Sequence, residues 1–172
     1  VKTPDDIEKE EINYLTWIPQ YKSSSKGNKE NLGLVTLDEQ DSPISEAFRT
    51  IKTRIQQSWA DSDLPKLILV TSPAQSEGKS FVASNLAISF AQSSKRTLLI
   101  DCDLRRPTIH STMGVDKKPG LSDQLSRRVK LEDIIRKTKS NNLSFITSGT
   151  IPNNPAEVLE SSAFMDFLQG IK

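Results

Sequence analysis

The stretch from Lys66 to Leu104, KLILVTSPAQSEGKSFVASNLAISFAQSSKRTLLIDCDL, constrains the chain most, because it orders a strand, a loop, a helix and a second strand that delivers acids. Leu67, Ile68, Leu69 and Val70 form an apolar run of the length expected for a buried parallel strand. Thr71 to Gly78 leave it in small and polar residues, and Lys79-Ser80 open a helix at once. A helix start offers unpaired N–H groups and the positive end of a dipole, so a loop feeding it from a strand is an anion cradle.

Gly78-Lys79-Ser80 match the end of the phosphate-loop pattern, with Lys79 placed for terminal phosphate oxygens and the Ser80 hydroxyl for magnesium. The start of the pattern differs, since Pro73 stands where it has Gly, and Ser76 and Glu77 fill the bend. The tripeptide alone is a weak signal, and an ordinary strand-to-helix turn with a solvated lysine is its bland reading. Context raises it: a strand before, a helix after, and a second strand ending in acids. The helix runs to about Gln92, with Val82, Leu86 and Phe90 on one side and Ala83, Ala87 and Ala91 beside them. Thr97 to Ile100 make the next buried strand, with Asp101 and Asp103 at its C-terminal end, where ligands sit in parallel sheets. At i and i+2 on extended chain the two carboxylates face one side, so both reach a magnesium held by Ser80, or one takes a proton from an attacking hydroxyl.

Composition bounds the rest. The 172 residues, 35% hydrophobic, suffice for one globular domain with a modest core. A formal charge of +1, with basic residues spread among acids, gives nucleic-acid binding no support. One cysteine, Cys102, excludes an internal disulfide and reads as a small buried filler. No apolar stretch approaches the roughly eighteen residues of a membrane span, and no signal-peptide pattern opens the chain. The chain starts at Val1 and stops inside a helical pattern, as an excised piece would.

Residues 1–43 read as an arm and linker: a short helix capped at Thr3-Pro4, a strand over Tyr14, Leu15, Trp17 and Ile18, and a polar linker from Lys22 to Asn31. Ser42-Pro43 start a helix to about Trp59, whose Ile44, Ala47, Phe48, Ile51, Ile55 and Trp59 form a stripe for packing on the sheet. Glu46, Arg49 and Lys52 share another face as a charge ladder. The lone His110 reads as structural, with no acid or nucleophile spaced to complete a triad, whereas Arg105 and Arg106 suit a γ-phosphate or a partner acid. Leu121–Leu125 and Leu131–Ile135 read as short helices among basic residues of a solvated face. Leu143, Phe145 and Ile146 give a third strand, Asn154-Pro155 caps a helix, and Ser161 or Ser162 restarts one through Phe164, Phe167 and Leu168.

The loop TSPAQSEGKS, then Asn85-Leu86-Ala87, then LLIDCDLRRPTIH with its Asp101-x-Asp103-x-Arg105, resembles the bacterial tyrosine kinases of capsule and exopolysaccharide export. Pro119-Gly120-Leu121 and SGTIPNNPAEVL, Ser148 to Leu159, extend the resemblance over nearly the whole chain. It implies an α/β fold of the phosphate-loop NTPase kind, the Min/Par-type deviant Walker fold, with a parallel sheet flanked by helices. The kinase domain, residues 44–172, is then C-terminally incomplete, lacking a later strand ending in Asp and a tyrosine-rich tail.

The resemblance also implies ATP and Mg2+ as cofactors, bound by Ala74, Gln75, Ser76, Glu77, Gly78, Lys79, Ser80 and Phe81, with the metal on Ser80 and Asp101. Lys79, Asp101, Asp103 and Arg105 carry catalysis, Asp103 activating the tyrosine hydroxyl. Glu46, Arg49 and Lys52 stand where the resembled kinases carry a Glu-x-x-Arg-x-x-Arg motif that reaches a neighbouring subunit's nucleotide site in a ring, with Lys52 in place of its last arginine, and Pro152 to Pro155 lie beside the base. The expected partners are ATP/ADP, a tyrosine-bearing protein substrate (a second copy in trans), the polysaccharide export machinery and a homo-oligomer, without nucleic acid. In membrane-anchored members a segment like KTPDDIEKEEINYLTWIP follows the second membrane helix, which implies the cytoplasmic side of the bacterial inner membrane. The piece alone is expected to bind nucleotide weakly and transfer phosphate poorly. Two other readings stand beside the kinase: a Min/Par-type ATPase, disfavoured by Ala74 where those carry an extra lysine, and a nucleotide-switched assembly module without catalysis.

Overall fold

The computed structural model describes residues 13–20, 34–59, 67–138 and 140–171. The helix expected after Thr3, the linker from Lys22 to Asn31, Tyr21 and Lys139 lie outside them.

Among the described residues ten elements follow in chain order: α1 (Val35–Asp38), α2 (Pro43–Gln57), α3 (Lys79–Gln92), β1 (Thr97–Ile100), α4 (Ile109–Thr112), α5 (Leu121–Leu125), β2 (Arg136–Lys137), β3 (Leu143–Ile146), α6 (Pro155–Glu160) and α7 (Ser162–Gly170). The sheet has the order β1-β3-β2. β1 and β3 run parallel, pairing Thr97 with Leu143 through Ile100 with Ile146, while β2 pairs antiparallel as a two-residue edge. The parallel pair follows the apolar runs; β2, with its Arg-Lys sequence, carries no strand signal of its own.

Helix α3 lies at the centre. It buries Ala87, Ile88 and Ala91 against Leu99, Leu143 and Phe145 of the sheet, and Leu86 and Phe90 against Val35, Ile44, Phe48 and Ile51 on its other side. A helix apolar on both faces is a core element, and its alanines permit close approach. The stripe of α2 therefore packs on α3 and α1 and not on the sheet, because α3 occupies the layer between. Ser42 caps α2 by accepting from Ser45 N–H at 3.2 Å. On the far face of the sheet Leu121, Ile134, Ile146 and Phe167 close a third cluster, with Leu98, Ile100 and Cys102 against it.

Three expectations fail, and the two strands among them fail for lack of a partner at the right place. Leu67–Val70 is extended but not a strand: no described segment pairs with it, and Leu67 and Leu69 are 68% and 82% exposed. Likewise Tyr14–Ile18 forms no strand; instead Leu15 and Ile18 rest on the α2 cluster, and Arg54 donates to the Tyr14 carbonyl at 3.0 Å and to that of Leu15. Leu131–Ile135 is turn, with Ile134 alone fully buried. Within the segment read as arm, Val35 and Thr36 are buried, and Thr36 donates through N–H and Oγ1 to Asn85 Oδ1 at 2.9 and 2.7 Å.

Candidate nucleotide site

Gly78 is the residue before α3 and has φ +90°, a left-handed conformation that glycine adopts without the Cβ penalty. Ser76 also sits at positive φ, 61°, which is uncommon for a residue with a side chain. Short-range bonds hold this bend: Ala74 N–H donates to Glu77 Oε2 at 3.0 Å, Ser72 Oγ donates to the Ala74 carbonyl at 2.9 Å, and Lys79 Nζ reaches Ser72 Oγ at 3.3 Å. The Lys79 ammonium thus lies over the loop, and the first turn of α3, from Lys79 and Ser80, directs main-chain N–H groups toward it. The Phe81 ring turns away into the core, edge-on to Phe48 at 5.9 Å, so only its backbone belongs to the cradle.

The second half of the site follows β1. Asp101 is 3% exposed, accepting from Asp103 N–H on Oδ1 and Ile109 N–H on Oδ2, both at 3.2 Å. Burial pushes its carboxyl up to about 6; the two N–H donors oppose that rise and the Asp103 charge adds to it. Asp103 Oδ1 accepts from Arg105 N–H and Arg106 N–H at 3.1 and 2.8 Å, which folds the chain into a turn and exposes both arginines. Asp103 thus joins Asp101 through its main-chain N–H. The Arg106 guanidinium then crosses to the loop and donates to Gln75 Oε1 at 2.5 Å.

Could these residues hold a nucleotide and its cation? The loop supplies an ammonium and a helix start for phosphates. Ser80, Asp101 and Asp103 supply oxygen donors: each Asp101 oxygen keeps a lone pair beyond its one N–H bond, and Asp103 keeps those of Oδ2, since its Oδ1 already accepts two N–H groups. Among the described residues no group of three or more His, Cys, Asp or Glu is poised to hold a metal. That donor set fits magnesium, which takes one or two carboxylates and completes its shell with water and phosphate oxygens.

The other singled-out residues sit elsewhere. Cys102 is half-buried, its thiol pushed up to about 11 by burial and then by Asp101, so it is unreactive filler. His110 lies in α4 beside Ser111, its basicity lowered by burial and by Lys117. On α2, Arg49 pairs with exposed Glu46 at 3.0 Å and donates to the Gln40 carbonyl, while Lys52 donates to Ser93 Oγ at 2.5 Å. Asn154 makes no capping bond to α6; its side-chain amide donates to Glu157 instead, whereas Ser161 does cap α7.

Sequence reasoning gave no role to Asn85, fully buried, beyond its place in the resemblance, and passed over Asp123, whose Oδ2 accepts from Gly120 N–H at 3.0 Å and Thr150 N–H at 3.1 Å. An Asp at the third position of a helix whose cap is Gly is the local signal for the first of those bonds; nothing local announces the second.

A lysine-bearing loop at a half-buried helix start, tied to an acid turn after a parallel strand, defines a phosphate-loop nucleotide-binding domain. A family model described as the CobQ/CobB/MinD/ParA nucleotide binding domain matches residues 68–170. Tyrosine-protein kinase YwqD of Bacillus subtilis (strain 168) is 38% identical over 137 residues, 80% of this chain and 57% of that protein. The solved BceF tyrosine kinase domain aligns with a TM-score of 0.87 at 32% identity over 99% of this chain and 72% of its own. The kinase domain of the Escherichia coli tyrosine kinase ETK aligns at 0.88 and 26% identity over 99% and 69%. The chain belongs to this nucleotide-binding family and, within it, to the bacterial tyrosine kinases. It spans less than two thirds of the length of the curated relatives it matches.

Proposed function

We propose that the chain is the nucleotide-binding part of an ATP-dependent protein-tyrosine autokinase acting in exopolysaccharide or capsule export. The observation that carries this reading is the Lys79 loop and the Asp101–Asp103 turn held side by side through Arg106 and Gln75. Lys79, Ser80 and the amides of Ala74 to Phe81 hold the phosphates of ATP; Ser80 and Asp101 hold Mg2+. When bound, the cation neutralises phosphate charge during transfer. Asp103, whose Oδ2 accepts no hydrogen bond among the described residues, takes the proton of the attacking tyrosine hydroxyl, and the free Arg105 guanidinium faces the developing charge. The substrate tyrosine comes from a second copy.

The division into an arm over 1–43 and a kinase domain over 44–172, the Glu46-Arg49-Lys52 ring contact and a place on the cytoplasmic side of the inner membrane belong to the same reading. It draws support from the kinase names of the relatives. Among the described residues no helix is long and apolar enough to cross a membrane.

Incubating the full-length protein with γ-labelled ATP tests the proposal. Phosphotyrosine is expected, and Lys79→Met should abolish it. Free phosphate without phosphotyrosine would instead mark a Min/Par-type ATPase, and neither product a nucleotide-switched assembly module.

A further inference from the structure

We propose that Arg106 is a positioning residue that latches the phosphate loop to the acid turn through Gln75, setting the spacing between Lys79 and Asp103. The loop needs an outside hold. Ser76 is left-handed at φ 61°, and such backbone in a residue with a side chain persists only where surrounding bonds over-determine it. Among the described residues, the hydrogen bonds made by residues 72–77 stay within residues 72–79, apart from that of Gln75 to Arg106. That bond spans thirty-one positions of sequence.

The other end of the latch is anchored. Arg106 N–H is held by Asp103 Oδ1, and Asp103 N–H by buried Asp101, so the guanidinium springs from a turn fixed to β1. A charged donor makes the stronger kind of hydrogen bond, and an arginine's rigid fork gives it direction. The consequence is geometric: with the latch closed, the group that holds phosphate and the group that accepts the tyrosine proton keep one separation. Small misplacements of that kind cost turnover more than affinity. The effect on turnover rests on the kinase reading; the effect on the loop does not.

Arg106→Ala, Gln75→Ala and the double variant in the full-length protein test this, since both side chains are exposed and neither fills the core. Hydrogen exchange over residues 72–80 without nucleotide should rise equally in each single variant and no further in the double. Autophosphorylation at saturating ATP should fall about tenfold in each single variant, again without further loss in the double, while Mg-ADP affinity changes less than about twofold. Arg106→Lys keeps one donor and should recover part of the rate. Unchanged loop exchange in Arg106→Ala overturns the latch. So does a selective loss of Mg-ADP affinity in Arg106→Ala that Gln75→Ala does not share, because the guanidinium would then be a phosphate ligand. Absence of phosphotyrosine from the wild type would remove the kinase reading and leave the exchange comparison to decide the latch.

Discussion

Two bends in this molecule use one device, a carboxylate that accepts main-chain N–H groups, and they differ in where it stands. In the phosphate loop Glu77 accepts from Ala74 N–H in the open, with both residues exposed. At the crossing of Gly120 and Gly149, Asp123 is buried, its one oxygen accepting from Gly120 and Thr150 while Ser122 Oγ donates to the Thr150 carbonyl. Water competes for the first bond and not for the second. A bond whose loss leaves buried donors unpaired is expensive to break, and one that solvent can replace is not. The binding loop is thus cheap to rearrange around a ligand, and the crossing that carries the chain from β3 to α6 is not.

The sharpest way to break the contrast is at Gly120. A Cβ there would stand 2.3 Å from Gly149 N and 2.4 Å from the Thr147 carbonyl oxygen, both backbone atoms that cannot swing aside. Gly120→Ala should cost about 3 kcal/mol or more, read as a shift in urea midpoint or as failure to fold. Asp123→Ala should follow at about 2–4 kcal/mol, because two N–H groups lose their acceptor. Asp123→Asn, whose amide oxygen can still accept both, should recover more than half of that in the same titration. Equal losses from the two substitutions would show that charge, not acceptor geometry, holds the crossing.

Asp101 is intermediate, a buried carboxylate inside the site. Its folded pKa of about 6 lies above the ordinary 3.8, so the folded state binds the proton more tightly than the unfolded one. The stability this contributes is fully present below about pH 4 and lost as pH rises through about 6, in all about 3 kcal/mol. Relative to Asp101→Asn, the ligand-free wild type should therefore lose stability between about pH 4 and pH 7. A flat difference across that range would mean that Asp101 is solvated. Smallest of all, Glu77→Ala should change unfolding free energy by less than about 0.5 kcal/mol, since its bond faces water. A larger loss would erase the distinction between the two bends.

Much of the site was legible because its chemistry is local. Gly78-Lys79-Ser80 opens α3 where the residues put it, and Asp101 and Asp103 follow β1 two residues apart. The ends of α3 and β1 and the core of α2 followed from apolar spacing alone. Legibility stopped where a segment needs a distant surface. Leu67–Val70 has a strand's composition without a described partner, and β2 has a partner without a strand's composition.

By itself the sequence placed α2, α3, β1 and β3 and singled out Lys79, Ser80 and the acids after β1 as candidates for holding phosphate and cation, because periodicity, capping and a glycine's φ act over a few neighbouring residues. Only the tertiary structure decided that α3 separates α2 from the sheet, that Asp123 serves two loops, and that Arg106 meets Gln75. Those contacts join residues tens of positions apart, and which surfaces meet is settled by packing the whole chain at once.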